Sequence, residues 1–237
     1  MRPSRAARTG ALCWIAATPL FLAANVVTGL AWRHPRFSWA THNISDLGNV
    51  TCGIWDTTRP RYVCSPWHPA MNAAILLTAV LLAAGTVLTW RAAGRGPAVR
   101  AAQCLLLLAA GGYALAGAFP ADVHENLHVL GALLIMGLGN VGLLVAGCAP
   151  GRTALGRLRP FTLAAALTAA GGTALFFTQR GLGIGVGGME RVAVFPLPLW
   201  ACCAGLALLA GTRPTGRPSY PKKFGTSCRS GGRPLDA

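Results

Sequence analysis

Polar and apolar residues in this 237-residue chain are sorted into blocks rather than mixed. Six apolar blocks free of Asp, Glu, Lys and Arg cover residues 11–32, 69–90, 101–119, 127–148, 161–178 and 192–211. They are 18 to 22 residues long, and His128, near the start of the fourth, is the only histidine inside one. About 20 helical residues cross the hydrocarbon of a bilayer. The pattern therefore predicts an all-α polytopic membrane protein, a six-transmembrane-helix bundle. The first block exceeds the roughly 7–15 apolar residues of a signal peptide and no small-residue cleavage site follows it, so it reads as a retained span. Small residues such as Ala109-Ala110-Gly111-Gly112 and Gly137-Leu138-Gly139 predict close helix approach. Pro196 and Pro198 predict a kink or unwinding in the last span. Residues 1–211 form the membrane domain. Residues 212–237, rich in Pro, Gly, Ser and basic side chains, read as a disordered basic cytoplasmic tail.

Composition removes the soluble alternatives. The chain is 53% hydrophobic and 11% charged, with a mean hydropathy of +0.49. That excludes an ordinary cytosolic enzyme, a disordered polymer and a fibrous repeat. The net charge is +15, and its placement matters more than its size. Lys and Arg number 3 before the first block, then 4, 3, 0, 3 and 2 in successive loops, and 6 in the tail. Alternate segments thus hold 15 on one side and 6 on the other. By the positive-inside rule both termini are cytoplasmic. Five of the six acids (Asp46, Asp56, Asp122, Glu125 and Glu190) fall in the opposite, outer segments. Anionic lipid headgroups explain the basic inner segments, so no nucleic-acid partner is expected. Heavy use of Ala, Gly and Arg with only two lysines points to a GC-rich bacterium and hence to its cytoplasmic (inner) membrane. On that ground the glycosylation acceptor Asn43-Ile44-Ser45 is discounted.

Of eight cysteines, Cys13, Cys104, Cys148, Cys202 and Cys203 lie in the blocks and Cys228 in the tail. Cys52 and Cys64 share the first outer loop, and in an oxidising compartment they predict a disulfide. Closing about a dozen residues is worth roughly 3 kcal/mol in the chain-entropy picture. Two zinc-bound thiolates fit less well, because neither cysteine has a C-x-x-C partner.

The outer segments also gather the chemically capable side chains: His42, Ser45 and Asp46; His68 and Asn72; Asp122, His124, Glu125 and His128; Glu190 and Arg191. Such groups at membrane depth usually face a cavity, and a six-helix bundle would bring them around a shallow one. Residues 124–128 read His-Glu-Asn-Leu-His. On a helix this H-E-x-x-H pattern sets two zinc ligands one turn apart, with Glu125 as general base. His68, Asp46 or Glu190 would supply the third ligand. Against a metalloprotease stand the extra charge of Asp122, the lack of a second signature and the position at a span entrance. The plain alternative has both histidines bonding loop carbonyls and headgroups. Ser45-Asp46 reads as a helix N-cap. A Ser45 nucleophile paired with His42 or His68 would lack an elbow motif. The glycine-rich stretch 181–188 has no preceding strand, so it reads as a flexible or partly re-entrant outer loop rather than a phosphate cradle.

Several segments in order resemble the domain-of-unknown-function family 998 of membrane proteins. They are Ile44-Ser45-Asp46-Leu47-Gly48, Val63-Cys64-Ser65-Pro66-Trp67-His68 with Met71-Asn72, His128, and Gly188-Met189-Glu190-Arg191 followed by Pro196 and Trp200. The likeness spans roughly residues 11–211 and leaves out the tail. It implies a multi-span membrane protein and carries no established activity. It includes His128 but not the complete H-E-x-x-H pattern, which favours roles for His68, His128, Asp46 and Glu190 without Glu125. The leading expectation is an outward-opening site acting by hydrolysis on a lipid or envelope molecule. Zinc would be held by His68, His124 and His128, water activated by Glu125 or Glu190, and a ligand oriented by Asp46. A small proton-coupled transporter and a non-catalytic membrane partner are the alternatives.

Overall fold

In hydrocarbon each backbone amide must find a partner within its own segment, so every apolar block has to be helical. The computed structural model describes residues 4–151, 153 and 155–210, and six helical spans account for them. Helix α1 covers Arg5–Ala31, with the Ser4 hydroxyl accepting the Ala7 N–H at 3.2 Å as N-cap. Helices α2 (His68–Leu88) and α3 (Pro97–Ala118) follow, each with a proline in the first turn, where its missing N–H does no harm. The fourth span is composite: α4 (Glu125–Leu133), a π-helical stretch Leu134–Gly139, and α5 (Asn140–Gly147). Helix α6 covers Arg159–Phe177. The sixth span is split into α7 (Val186–Val194) and α8 (Pro196–Ala210). All six are long and apolar enough to cross a membrane, as the block pattern predicts. The expected tail, 212–237, lies outside the described residues.

Between α1 and α2 the chain builds a cap over one end of the bundle. Its strands β1 (Gly53–Trp55) and β2 (Arg61–Val63) pair antiparallel with Gly53 opposite Val63. Cys52 and Cys64, the next residues outward, are joined by the expected disulfide. A single-turn 3₁₀ helix, Ser45–Gly48, lies against the start of α2.

Inside the bundle α1 packs on α2 and α8, and α2 on α3. Trp14, Phe21, Tyr113 and Trp200 are the large buried aromatics, with Phe21 meeting Tyr113 edge-on at 5.4 Å. The small residues act where two backbones meet. A Cβ on Gly112 would lie 2.6 Å from the Gly131 carbonyl oxygen, and one on Gly131 would lie 2.7 Å from that of Gly112. Gly111 and Gly137, by contrast, meet open space. Where Pro196 removes an N–H, the sixth span breaks as predicted. The Asn140 amide braces the break by donating to the Ala193 carbonyl at 3.3 Å and the Thr173 hydroxyl at 3.0 Å.

One boundary differs from the sequence pattern. The sixth span begins at Val186 rather than 192, which places Glu190 and Arg191 inside a helix instead of at its mouth. The glycines cause this. Gly185 adopts a φ of +80°, and the Gly187 N–H donates to the Ala40 carbonyl at 2.9 Å. A Cβ on Gly187 would strike the His42 carbonyl oxygen. Of the stretch expected to be a flexible or partly re-entrant loop, residues 185–188 form a tight seam, with the start of α7 pressed against the cap backbone, while Leu182 and Ile184 in the turn before it stay exposed.

Replacing Gly187 by alanine is expected to destabilise the protein by about 1–3 kcal/mol through overpacking. Gly171→Ala, in open space on α6, is expected to cost nothing. Equal melting temperatures for the two variants in detergent would refute the seam.

Candidate functional site

A carboxylate taken out of water must be paired or hydrogen-bonded, and most polar groups of the cap serve one another in this way. Asp46 is fully buried. It receives one edge of the Arg61 guanidinium, Nε to Oδ2 at 2.6 Å and Nη2 to Oδ1 at 2.7 Å, and also the Asn43 N–H at 2.8 Å. Arg61 reaches on to Asp56 at 3.2 Å, and the two carboxylates raise its pKa against the opposing effect of burial. Burial also opposes ionisation of Asp56, but bonds from the Thr58 hydroxyl and N–H, the Arg59 N–H and Arg61 outweigh it and hold the carboxyl at about 2. Asp122 is likewise lowered, against some burial, by the Thr51 N–H and hydroxyl and the Val50 N–H. It ties the hairpin to the α3–α4 connection.

Most neighbouring polar residues are engaged too, although Arg59 Nε, Arg191 Nε and Nη2 and Asp122 Oδ1 are buried with no hydrogen-bond partner among the described residues. His42 accepts the Ser38 N–H at Nδ1, which leaves Nε2 to donate to the Tyr62 carbonyl at 3.0 Å, and its ring stacks on Phe37. Asn72 donates to the Gly48 carbonyl and the Ser65 hydroxyl to that of Leu47, and together they fasten the 3₁₀ turn to α2. The His68 Nδ1–H donates to the Ser65 carbonyl at 3.1 Å. Arg191 donates to the carbonyls of Gly187, His42 and Trp39 and lies over the rings of Phe37 and Trp39. Arg59 bonds the Thr41 carbonyl and the Asn43 side chain. In Asp46 and His42, both expected among the outer-face site residues, every side-chain oxygen and nitrogen has a partner within the cap.

Four polar groups with hydrogen-bonding capacity to spare meet in one place. Glu190, His128, Ser45 and Tyr113 line one small pocket of about 40 Å³ beneath the cap. Its other walls are apolar, including Phe21, Ile75, Ile135 and Met136, the last two from the π-helical stretch. Glu190, 6% exposed, accepts the Ile44 N–H at Oε2, while Oε1 has no protein partner. The His128 Nδ1–H donates to the Phe119 carbonyl at 2.9 Å, so the neutral ring has a bare lone pair at Nε2. The Tyr113 hydroxyl is buried and has no hydrogen-bond partner, and none is recorded for the Ser45 hydroxyl. No hydrogen bond links Ser45, His128 and Glu190, so this is not a nucleophile–base–acid relay. It is an apolar chamber holding one carboxyl, one imidazole acceptor and two hydroxyls. Sequence reading missed Tyr113. The available signal was a tyrosine several residues inside a span rather than at the interface, where tyrosine usually sits.

The H-E-x-x-H segment divides at its first residue. His124 is the non-helical residue before α4 (φ −138°, ψ 71°), with its ring against Phe119. It therefore does not share the helical face of His128. Glu125 is exposed and flanks a surface hollow beside Asn43 and Arg61. Neither His68 nor His124 lines the cavity. A zinc centre needs three or four convergent ligands. Among the described residues no three His, Cys, Asp or Glu side chains are placed to hold a metal ion, so the trio His68, His124 and His128 is not assembled.

A family model described as a protein of unknown function (DUF998) matches residues 15–207, which takes in all six spans and the cap. No curated protein matches the chain. No solved structure matches it either.

Asp46→Ala strands the Arg61 charge in a buried setting and is expected to destabilise the protein by about 3–5 kcal/mol. The apolar pair Asp46→Leu with Arg61→Met is expected to recover most of that loss, as thermal unfolding in detergent would show. Asp56 has a lowered pKa in the folded state, so its stabilisation is complete above 3.8 and fades as the pH falls toward about 2. The wild type is expected to lose melting temperature over that interval, and Asp56→Asn to lose less.

Proposed function

We propose, from the premise that the chain belongs to the protein-of-unknown-function family DUF998, that the chamber under the cap binds and processes an amphiphilic lipid or envelope molecule. The observation that carries this reading is the convergence of Glu190, His128, Tyr113 and Ser45, each with unused hydrogen-bonding capacity, on one otherwise apolar cavity. The polar head would reach the two hydroxyls, and the apolar portion would lie outside the small pocket, along the apolar surface of the spans. Glu190 and the His128 Nε2 lone pair form an acid–base pair able to take a proton from water and return it to a leaving group. Hydrolysis is therefore the reaction that fits the chamber best, on the outer side of the cytoplasmic membrane of a bacterium. The donor set supports attack by activated water rather than by Ser45, since no base is bonded to that hydroxyl.

A proton-coupled carrier is the second reading. Two interrupted spans, one by the π-helical stretch and one by the Phe195–Pro196 break, both flank the cavity. Interrupted helices beside a buried carboxyl are a recurrent feature of carriers.

The test uses purified protein in nanodiscs of bacterial polar lipid, with products followed by mass spectrometry. Headgroup or acyl release is expected from the wild type and is expected to fall about 100-fold or more in Glu190→Gln and in His128→Ala, the usual scale for a lost general acid or base. Tyr113→Phe is expected to weaken substrate binding with a smaller effect on turnover. Absence of any wild-type product, together with solute uptake driven by a pH gradient in proteoliposomes, would replace the hydrolase by the carrier.

A further inference from the structure

We propose that the hollow at the cap end of α1 binds a phosphate group, and that the phosphodiester of a net-anionic membrane lipid, with no cationic headgroup to neutralise it, supplies it. The chain turns sharply after Ala31, and Arg33 and Arg36 face each other in an isolated antiparallel bridge. Residues directly opposite in such a bridge project to the same side, and like charges so placed repel. Both arginines line one hollow with His34, Trp32 and Trp39, and no acidic side chain lines it. Neither guanidinium has a partner: the ion pairs among the described residues join Arg61 to Asp46 and Asp56. Other cap acids are committed elsewhere, Asp122 to Thr51 and Glu190 to the Ile44 N–H. A third positive group lies behind the hollow, since the Arg191 guanidinium sits 5.1 Å from the Trp39 ring centre.

The repulsion between Arg33 and Arg36 is removed by an anion that both can reach. Paired guanidinium groups suit phosphate best, because each offers two parallel N–H donors to its oxygens. The surroundings favour a lipid as the source. The hollow lies where a spanning helix ends, and Leu30 (64% exposed) and Trp39 (40% exposed) form its rim. Those two side chains offer an acyl chain an apolar flank, and tryptophan is the residue most at home at headgroup depth. The hollow shares no residue with the chamber holding Glu190 and His128, so it stands or falls separately from the proposed reaction.

The experiment is native mass spectrometry of the full-length protein from detergent with equimolar phosphatidylglycerol and phosphatidylcholine. Phosphatidylglycerol is expected to be retained about tenfold or more over phosphatidylcholine, as two basic groups near the headgroup would give. Arg33→Gln with Arg36→Gln, both exposed and unbonded, is expected to remove that preference, whereas Arg180→Gln, an exposed arginine elsewhere on the same face, is expected to keep it. Inorganic phosphate at millimolar concentration is expected to displace little of the bound lipid. Equal retention of the two lipids by the wild type would overturn the proposal, and that arm needs no variant. A preference that survives the double substitution, or that Arg180→Gln also abolishes, would overturn it as well. Arginine-dependent binding of inorganic phosphate without lipid preference would overturn the lipid source and leave a free-anion site.

Discussion

The ion pair between Asp46 and Arg61 is the interaction on which the rest of the cap depends. Two charges without water between them hold only if the geometry is two-pronged and the leftover lone pairs are occupied. Here both conditions are met, by the paired bonds from Arg61 and the N–H of Asn43. The pair joins the hairpin to the 3₁₀ turn at Ser45–Gly48, and that turn is fastened to α2 through Asn72 and Ser65. The position of Ile44, whose N–H holds Glu190, follows from this chain of contacts.

That arrangement separates two kinds of polar residue which look alike in the sequence. Asp46 and His42 have their oxygens and nitrogens engaged within the cap, and Asp122 gives one oxygen to three donors there, so all three serve as mortar. Glu190, His128, Ser45 and Tyr113 retain unused capacity and line one small pocket. A buried polar group without a partner is unfavourable by itself, and such groups concentrate where something else completes them. Residue type alone therefore does not separate the groups that hold the cap from those that line the pocket.

How much of this was legible depends on which force decides each feature. The six spans were readable because bilayer thickness and exclusion of charge leave a strong imprint on a linear chain. The Pro196 break and the Cys52–Cys64 bond were readable because each follows from one residue type in a known setting. The start of α7 was not, since Glu190 and Arg191 look like residues that end an apolar block. Only their bonds to residues 39–44, far away in the chain, make burial tolerable. The H-E-x-x-H pattern misled for a related reason: spacing implies a shared face only if the helix includes both histidines, and α4 starts one residue too late. Glu190, His128 and Ser45 stood out as polar residues on one side of the membrane, whereas Tyr113 was concealed among the aromatics of its span.

The reach of α7 into residues 39–44 also sets an order of assembly. Glu190 bonds the Ile44 N–H across 146 residues of sequence, and Arg191 bonds the His42 carbonyl across 149. A ribosome adding about 5–20 residues per second needs on the order of ten seconds to cover that distance. During that interval the loop after the first helix has its own ion pair, disulfide and bonds to α2 within reach, but not the contacts from α7. The newborn protein thus gains the last clasp on its earliest extramembrane segment only when its final helix arrives.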